Sequence, residues 1–402
     1  MRTVIIGAGH GGVEVADALR KGGYEGQISL LERTSHQPYQ RPPLSKECLI
    51  EAGDPLALRS AAFFAEQHID LRLSTAVTKV VPDSQQIHLG GGERLEYDDL
   101  VFATGAHNRV AVCDGSDLNG VHYLRTRDDL EPLRAAMSSA TSVVVVGAGF
   151  IGLEFATAAR AAGLPTTVID LADRPMSRVL SKYASDYFSE LHQAAGTELI
   201  FGEGLASLQG DERSVNAVIG TSGASYPADL VVIGLGVEPA SELALQAGLE
   251  IDPGIVVNQY LLSSAPHIYA LGDCASFPFR HRQIRLEAVQ NATDQGSTVA
   301  AGILGRDEPY GAVPWFYSDQ AGVKLKIAGI YGGSGDQVIR GNREQGAFSI
   351  FHFDRLTLSC VESINRPADH MIARKLLRDG TPLSPIEAAN RDLDLRARAL
   401  GN

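Results

Sequence analysis

One pattern occurs twice in this chain and restricts its fold more than any other feature. Thr3-Val-Ile-Ile-Gly-Ala-Gly-His-Gly-Gly12 returns as Ser142-Val-Val-Val-Val-Gly-Ala-Gly-Phe-Ile-Gly152. Each copy is a β-branched run, a glycine loop and an amphipathic stretch that stops at glycine, Gly22-Gly23 in the first and Gly163 in the second. That reads as strand, tight turn, helix and C-cap. A second apolar strand closed by an acid follows each helix, Gln27-Ile-Ser-Leu-Leu-Glu32 and Thr166-Thr-Val-Ile-Asp170. The expectation is two βαβ units and so two doubly wound α/β domains.

The spacing carries chemistry. In the first loop Gly7 makes the tight turn, Gly9 lets the backbone approach a pyrophosphate, and Gly12 lets helix pack on strand. The pyrophosphate then rests on the partial positive charge of the helix N-terminus. Glu32, 20 residues after Gly12, is placed to accept the ribose hydroxyls of an adenosine. Gly147, Gly149 and Gly152 repeat the arrangement, with Asp170 18 residues on. A carboxylate there accepts the 2′-hydroxyl of NAD and repels the 2′-phosphate of NADP, so NADH is the expected cofactor. Arg174 and Arg178 lie just beyond and soften that preference if they face the ribose.

Composition narrows the reading by exclusion. With 48 Asp plus Glu against 35 Lys plus Arg, the net charge of −13 repels phosphate and disfavours non-specific nucleic-acid or anionic-membrane binding. The apolar runs Val143 to Val146 and Ala228 to Gly236 fall well short of the roughly 18 to 20 residues that span a bilayer. Only Val4-Ile5-Ile6 precedes Gly7, too little for the apolar region of a secretory signal, so a cytoplasmic location is expected. Cys48, Cys113, Cys274 and Cys360 are scattered without a CxxC pair, which leaves neither a zinc site nor a dithiol centre. Two dinucleotide loops without a metal or dithiol motif point to a flavin working against a nicotinamide.

Elsewhere Leu71 to Val81, Gln86 to Leu89, Asp99 to Ala103, Asp229 to Leu235, Ile255 to Val257 and His267 to Ala270 read as strands. The stretch Asn108 to Asp117 reads as an inter-domain crossing. From Pro314 the texture changes: Lys324 to Tyr331, Gln337 to Gly341, Ala347 to Phe353 and Arg355 to Val361 alternate at period two, and helical segments follow. The expected organisation is a dinucleotide-binding domain from 1–108 and 240–310, a second from 109–239, and an α+β domain from 311–402.

Seven further segments carry a family resemblance that covers essentially the whole chain. They are Pro38-Tyr-Gln-Arg-Pro-Pro-Leu-Ser-Lys46, Ala103-Thr-Gly-Ala106, Leu124-Arg-Thr126, Gly234-Leu-Gly-Val-Glu-Pro239, Ala270-Leu-Gly-Asp-Cys274, Glu287-Ala-Val-Gln-Asn-Ala292 and Pro314-Trp-Phe-Tyr-Ser-Asp-Gln320. With the two loops, they resemble the FAD-dependent, NADH-using reductases of [2Fe-2S] ferredoxins. This is the putidaredoxin reductase group, which supplies electrons to cytochromes P450 and ring-hydroxylating dioxygenases. The resemblance implies a glutathione-reductase-like architecture with FAD and NAD domains and a C-terminal interface domain.

It also implies site residues. FAD falls to Gly7, Gly9, His10, Gly11, Gly12, Glu32, Arg33, Arg41, Lys46, Val77, Ala103, Thr104, Gly105, Arg125, Gly272, Asp273, Val289, Gln290 and Trp315. NAD falls to Gly147, Gly149, Phe150, Ile151, Gly152, Glu154, Asp170, Arg178, Gly234 and Gly236. Lys46 lies near flavin N5 in this family and pairs with Glu154, the two catalytic candidates. On the residues alone, Glu154 reads as a first-turn acid favoured by the helix dipole, a role that Glu14 shares in the first copy. The helix expected to begin near Val289-Gln290-Asn291 aims its N-terminus at the flavin N1/O2 edge.

The implied reaction is hydride transfer from NADH C4 to flavin N5, then single-electron delivery to a ferredoxin. Direct hydride transfer needs no general base, and His10, His107 and His122 read as structural or solvated. An acidic ferredoxin needs a local basic surface on an acidic reductase, for which Arg280, His281, Arg282, Arg285, Lys324 and Lys326 are candidates. The sole Trp, Trp315, belongs by resemblance near the docking surface, and Tyr317 stands where the family often has a second Trp. Two other functions compete. An NADH oxidase or peroxidase would use Cys48, although the pattern typical of those enzymes is not reproduced around it. An apoptosis-inducing-factor-type flavoprotein would carry a long C-terminal insertion and a basic balance, and this chain has neither.

Overall fold

The computed structural model describes residues 1–51, 53–211, 213–280 and 282–400. The chain divides into two compact units: residues 1–40, 55–107 and 237–312 form the first, and 41–54, 108–236 and 313–402 the second.

The first unit is built on a five-stranded parallel sheet. Its order is Ile268–Ala270, Asp99–Phe102, Arg2–Ile6, Gln27–Leu31, Ile69–Arg72. The order reverses beside Arg2–Ile6, and in open parallel sheets ligands bind outside the strand ends at such a point. Helix His10–Lys21 turns Val13, Val15, Ala16 and Leu19 into the core and ends at Gly22, with Gly23 at φ +86°. Burying each of these larger side chains contributes about 1.5–3 kcal/mol. Helix Val289–Ile303 starts where the sequence places it.

The expected single strand from Leu71 to Val81 is two strands. Ile69–Arg72 belongs to the parallel sheet, and Val77–Val81 to a three-stranded antiparallel sheet with Gln86–Leu89 and Arg94–Glu96. Ser74 at φ +51° breaks the run. The turn is held by hydrogen bonds from the Ser74 and Thr75 amides to the Thr34 and Glu32 carbonyls.

The second unit repeats the architecture with the order Thr197–Phe201, Thr166–Asp170, Val143–Val146, Leu230–Ile233, Val121–His122, all parallel. Its other large sheet is antiparallel, in the order Trp315–Gln320, Val323–Gly329, Thr357–Ile364, Ala347–Asp354, Asp336–Asn342. The last of its hairpins opens at Thr357 rather than Arg355, because Arg355 takes φ +57° in the turn. Buried Glu362 ties this sheet to the helical layer of the parallel one. It accepts from the Ser181 amide at 2.7 Å, the Ser181 hydroxyl at 2.5 Å and His352 Nε2 at 2.9 Å. Ser181 in turn caps helix Lys182–Ala194.

Residues 41–54 pack in the second unit although the chain on either side belongs to the first. Arg134 holds them through the carbonyls of Cys48 (2.6 Å) and Gly53, and Arg127 pairs with Asp54 at 2.7 Å. Among the described residues no helix is long and apolar enough to cross a membrane, and no group of three His, Cys, Asp or Glu is placed to hold a metal.

Candidate functional site

In the first unit, Gly7 has φ +105°, and a Cβ there would lie 2.3 Å from the Ala103 carbonyl oxygen. A Cβ on Gly12 would lie 1.9 Å from the Gly7 oxygen, and one on Gly11 would strike Leu271. Gly9 is different: a Cβ there meets nothing within 4 Å. Helix His10–Lys21 begins at Gly9 without a side-chain cap or a first-turn acid, the kind of helix start that accepts an anion. Glu32 braces the loop, Oε2 accepting from the Ala8 amide at 3.2 Å and Oε1 from the Thr34 amide and hydroxyl at 3.0 Å each.

His10 is half-buried at the helix start, and Arg33 is exposed. Val77 sits half-buried at the head of its strand. Ala103, Thr104 and Gly105 form the turn after Asp99–Phe102, with the Thr104 hydroxyl on the Ala240 carbonyl at 2.6 Å. Gly272 and Asp273 form a helical turn whose Gly272 amide donates to Gln295 Oε1 at 2.7 Å. Gln295 is fully buried and its Nε2 has no hydrogen-bond partner. Val289 and Gln290 open the helix that carries Gln295. The helix start without a side-chain cap, the open Gly9 and the orphaned Gln295 nitrogen fit a bound dinucleotide.

The second unit reproduces the loop. Gly147 has φ +112° with its Cβ position 2.3 Å from the Gly234 oxygen, and that of Gly152 lies 2.1 Å from the Gly147 oxygen. Gly149 again meets nothing within 4 Å, and helix Phe150–Ala161 is uncapped. Asp170 accepts from the Ala148 amide at 2.6 Å and the Ala172 amide at 2.8 Å. Phe150 packs on Phe316 at 4.3 Å between ring centroids, and Ile151 is 46% exposed. Arg174 is committed to the Leu180 and Ser177 carbonyls and the Ser185 hydroxyl. Arg178 is exposed beside Gly236, which has φ +87°.

The structure brings Lys46 and Glu154 together. Lys46 Nζ lies 2.8 Å from Glu154 Oε2, with side chains 15% and 3% exposed. The same oxygen accepts from Ser45 at 2.6 Å, and Oε1 accepts from Ser318 at 2.6 Å. The first-turn dipole role does not hold, since neither helix has an acid in its first turn. Glu14 instead accepts from Ser297 at 2.9 Å, so the two glutamates are not equivalent. Lys46 caps the one-turn helix Pro42–Ser45, whose prolines fix its path, and lies 5.9 Å over the Tyr317 ring. Burial, then the Glu154 charge, pushes the Tyr317 phenol up.

Arg41 donates to the Arg125 carbonyl at 3.0 Å, and the Arg125 amide donates to Asp129 at 2.9 Å. Trp315 lies on its strand under the Arg374 guanidinium (4.6 Å to the ring centroid) and beside His370 (5.4 Å). Cys48 is buried, which pushes its thiol up and leaves it a poor nucleophile.

Of the docking candidates, Arg280, Arg282 and Lys324 are exposed and Lys326 is half-buried, while His281 lies outside the described residues. Arg285 is withdrawn from the surface set. Its guanidinium, 15% exposed, pairs with Glu287 at 2.6 Å and donates to the Asp273 carbonyl at 3.3 Å. Sequence reasoning missed Ser318, Gln320, His192 and Gln295 as members of buried polar networks. For His192 a signal existed: Ser185, Phe188 and His192 share the buried face of helix Lys182–Ala194.

The chain belongs to the pyridine nucleotide-disulphide oxidoreductase family, which residues 1–296 match, and residues 315–399 match the reductase C-terminal family. It is 44% identical over 400 residues to rhodocoxin reductase of Rhodococcus erythropolis, covering 98% of this chain and 94% of that one. Among solved structures, the ferredoxin reductase for the CYP199A2 system of Rhodopseudomonas palustris matches with TM-score 0.97 and 43% identity over 99% of both chains. Putidaredoxin reductase in its covalent complex with putidaredoxin matches with TM-score 0.95 and 36% identity over 100% of this chain and 98% of that one. Within the family, this chain is a ferredoxin reductase of the putidaredoxin reductase type.

Proposed function

We propose that the protein takes hydride from NADH onto FAD and delivers single electrons to a [2Fe-2S] ferredoxin that supplies a cytochrome P450 or ring-hydroxylating dioxygenase. The observation that carries this is the pair of matched glycine loops, each uncapped, open at its middle glycine and braced by a carboxylate. Membership of the ferredoxin reductases supports it, as does the likeness to a reductase solved in complex with its ferredoxin.

Residues 1–108 and 240–310 bind FAD, 109–239 bind NADH, and 311–402 serve the partner. The amides of Gly9 to Gly12 hold the FAD pyrophosphate, and Glu32 takes the adenosine ribose. Asp273, Thr104 and the start of helix Val289–Ile303 bind the flavin half. In the other loop, Gly149 to Gly152 hold the NADH pyrophosphate and Asp170 the ribose 2′-hydroxyl, which makes NADH the preferred donor. When bound, FAD supplies the conversion of a two-electron hydride into single-electron transfers. With FAD bound, Lys46, fixed by Glu154, would supply a positive charge to the flavin, and the dipole of helix Val289–Ile303 would favour negative charge on it. Neither group moves a proton. The four free cysteines suit the reducing cytoplasm in which we place the protein.

Stopped-flow reduction of the FAD-loaded protein by NADH without oxygen, followed by mixing with an oxidised [2Fe-2S] ferredoxin or with oxygen, tests this reading. Fast bleaching, fast reoxidation by ferredoxin and slow reoxidation by oxygen are expected. Rapid reoxidation by oxygen with no transfer to any ferredoxin tried would overturn it.

A further inference from the structure

A line of buried hydrogen bonds runs inward from Glu154. Its Oε1 accepts from Ser318 Oγ at 2.6 Å, that oxygen accepts from Gln320 Nε2 at 3.0 Å, and Gln320 Oε1 meets His192 Nε2 at 3.0 Å. Glu154, Ser318, Gln320 and His192 are all at most 3% exposed.

The direction of the line follows from what each group can donate. A carboxylate only accepts, so the single Ser318 proton is committed to it and the Ser318 oxygen must accept from Gln320. That turns the Gln320 carbonyl toward His192, which donates from Nε2. The opposite amide orientation would set the Gln320 carbonyl against Ser318 Oγ and Met176 Sδ, which lies 3.5 Å from the amide nitrogen. It would also move the His192 proton to Nδ1, a buried atom without a hydrogen-bond partner. Burial lowers the proton affinity of His192, which favours the neutral ring with a single Nε2 donor. Every donor in the line therefore points toward Glu154, and such chains polarise and strengthen one another.

The two carboxylate oxygens are supported unequally. Oε2 receives Lys46 and Ser45, whereas among the described residues Oε1 receives only Ser318. Losing Ser318 frees the carboxylate to rotate about its last bond and carry Lys46 with it. We propose that Ser318, oriented by Gln320 and His192, is a positioning residue that fixes the rotamer of Glu154 and so the place of the Lys46 charge. This rests on the assignment of that pair to the flavin.

The test compares Ser318→Ala, Ser318→Thr, Glu154→Gln and the Ser318→Ala/Glu154→Gln double variant as full-length, FAD-loaded protein. The readouts are the midpoint potential of the flavin by anaerobic spectroelectrochemistry and the rate of its reduction by NADH. Ser318→Ala is expected to slow reduction about ten-fold, the equivalent of one lost hydrogen bond to a charged group, and to shift the potential in the direction of Glu154→Gln. Ser318→Thr, which keeps the hydroxyl, retains wild-type values, and Ser318→Ala adds nothing to the effect of Glu154→Gln in the double variant. Wild-type behaviour of Ser318→Ala beside an effective Glu154→Gln, or additivity in the double variant, overturns the positioning role alone. Silence of Glu154→Gln in both readouts overturns the role of the pair, and this inference with it. If Ser318→Ala fails to retain FAD, Gln320→Leu, which leaves the serine in place, carries the same comparison with an expected slowing of about three-fold; wild-type values there overturn the proposal.

Discussion

Lys46 and Glu154 lie 108 residues apart in the chain and form a 2.8 Å ion pair with both side chains largely out of water. A charge so placed is expensive to leave alone, because desolvation is then uncompensated. Lys46→Met should therefore destabilise the protein by about 2 kcal/mol, below the usual 3–5 kcal/mol for a broken buried pair because two serines still donate to the carboxylate. Adding Glu154→Gln should restore much of that loss without restoring the rate of flavin reduction by NADH. Urea unfolding and stopped-flow absorbance on the same samples check both halves.

Under the proposed ribose assignment, Asp170 separates the two nicotinamide cofactors. Asp170→Ala should raise the KM for NADH by about ten-fold or more, the worth of a hydrogen bond to a charged group, and change that for NADPH far less. Steady-state assays with ferricyanide as acceptor decide it, and equal changes would remove the ribose assignment.

Gly149 and Gly152 sit three residues apart with opposite requirements. A methyl group on Gly149 meets no protein atom within 4 Å, whereas one on Gly152 would stand 2.1 Å from the Gly147 oxygen. Gly149→Ala should keep the wild-type melting temperature and weaken NADH binding about ten-fold by obstructing the backbone's approach to the pyrophosphate. Gly152→Ala should lower stability itself, by about 1–3 kcal/mol. Thermal unfolding without nucleotide, paired with NADH titration, distinguishes the two.

Cys48 is buried and its thiol is pushed up. Cys48→Ser should leave NADH-to-ferricyanide turnover within about two-fold of wild type, and iodoacetamide at neutral pH should label the folded protein at this position slowly. Collapse of turnover would restore the oxidase reading.

His370 is buried against Trp315, and burial followed by the charges of Arg374 and Lys326 pushes its folded-state pKa down to about 4. The unfolded chain binds the proton more tightly, so this group costs nothing above about pH 6.5 and lowers stability progressively as the pH falls toward 4. The loss should reach about 2 kcal/mol, after allowing for residual solvent screening. His370→Gln should flatten that part of the curve in urea unfolding between pH 7 and 4, and an unchanged slope would refute the assignment.

Much of this protein was legible in the sequence because its decisive signals are local. A β-branched run, three glycines and an acid about 20 residues on lie within one βαβ unit, and φ values above +100° at Gly7 and Gly147 are what such a turn demands. The hairpins after Pro314 were legible for the same reason, since alternation at period two is a property of neighbours. The split at Ser74 was not, because a serine in the left-handed region leaves no mark on hydrophobic periodicity.

The resemblance implied Lys46 beside Glu154, and only the tertiary structure added Ser45 and Ser318 to it. Its donors come from 109, 108 and 164 residues away, and they meet because residues 41–54 pack in the second unit and Ser318 faces inward on Trp315–Gln320. The same holds for Arg285, which the sequence presents as one more surface cation and the fold commits to Asp273 and Glu287. The physical reason is common to both. Local propensity sets which segments become strands, turns and helices, whereas the partner of a polar side chain depends on which distant backbone excludes water from it, and that is settled when the segments pack.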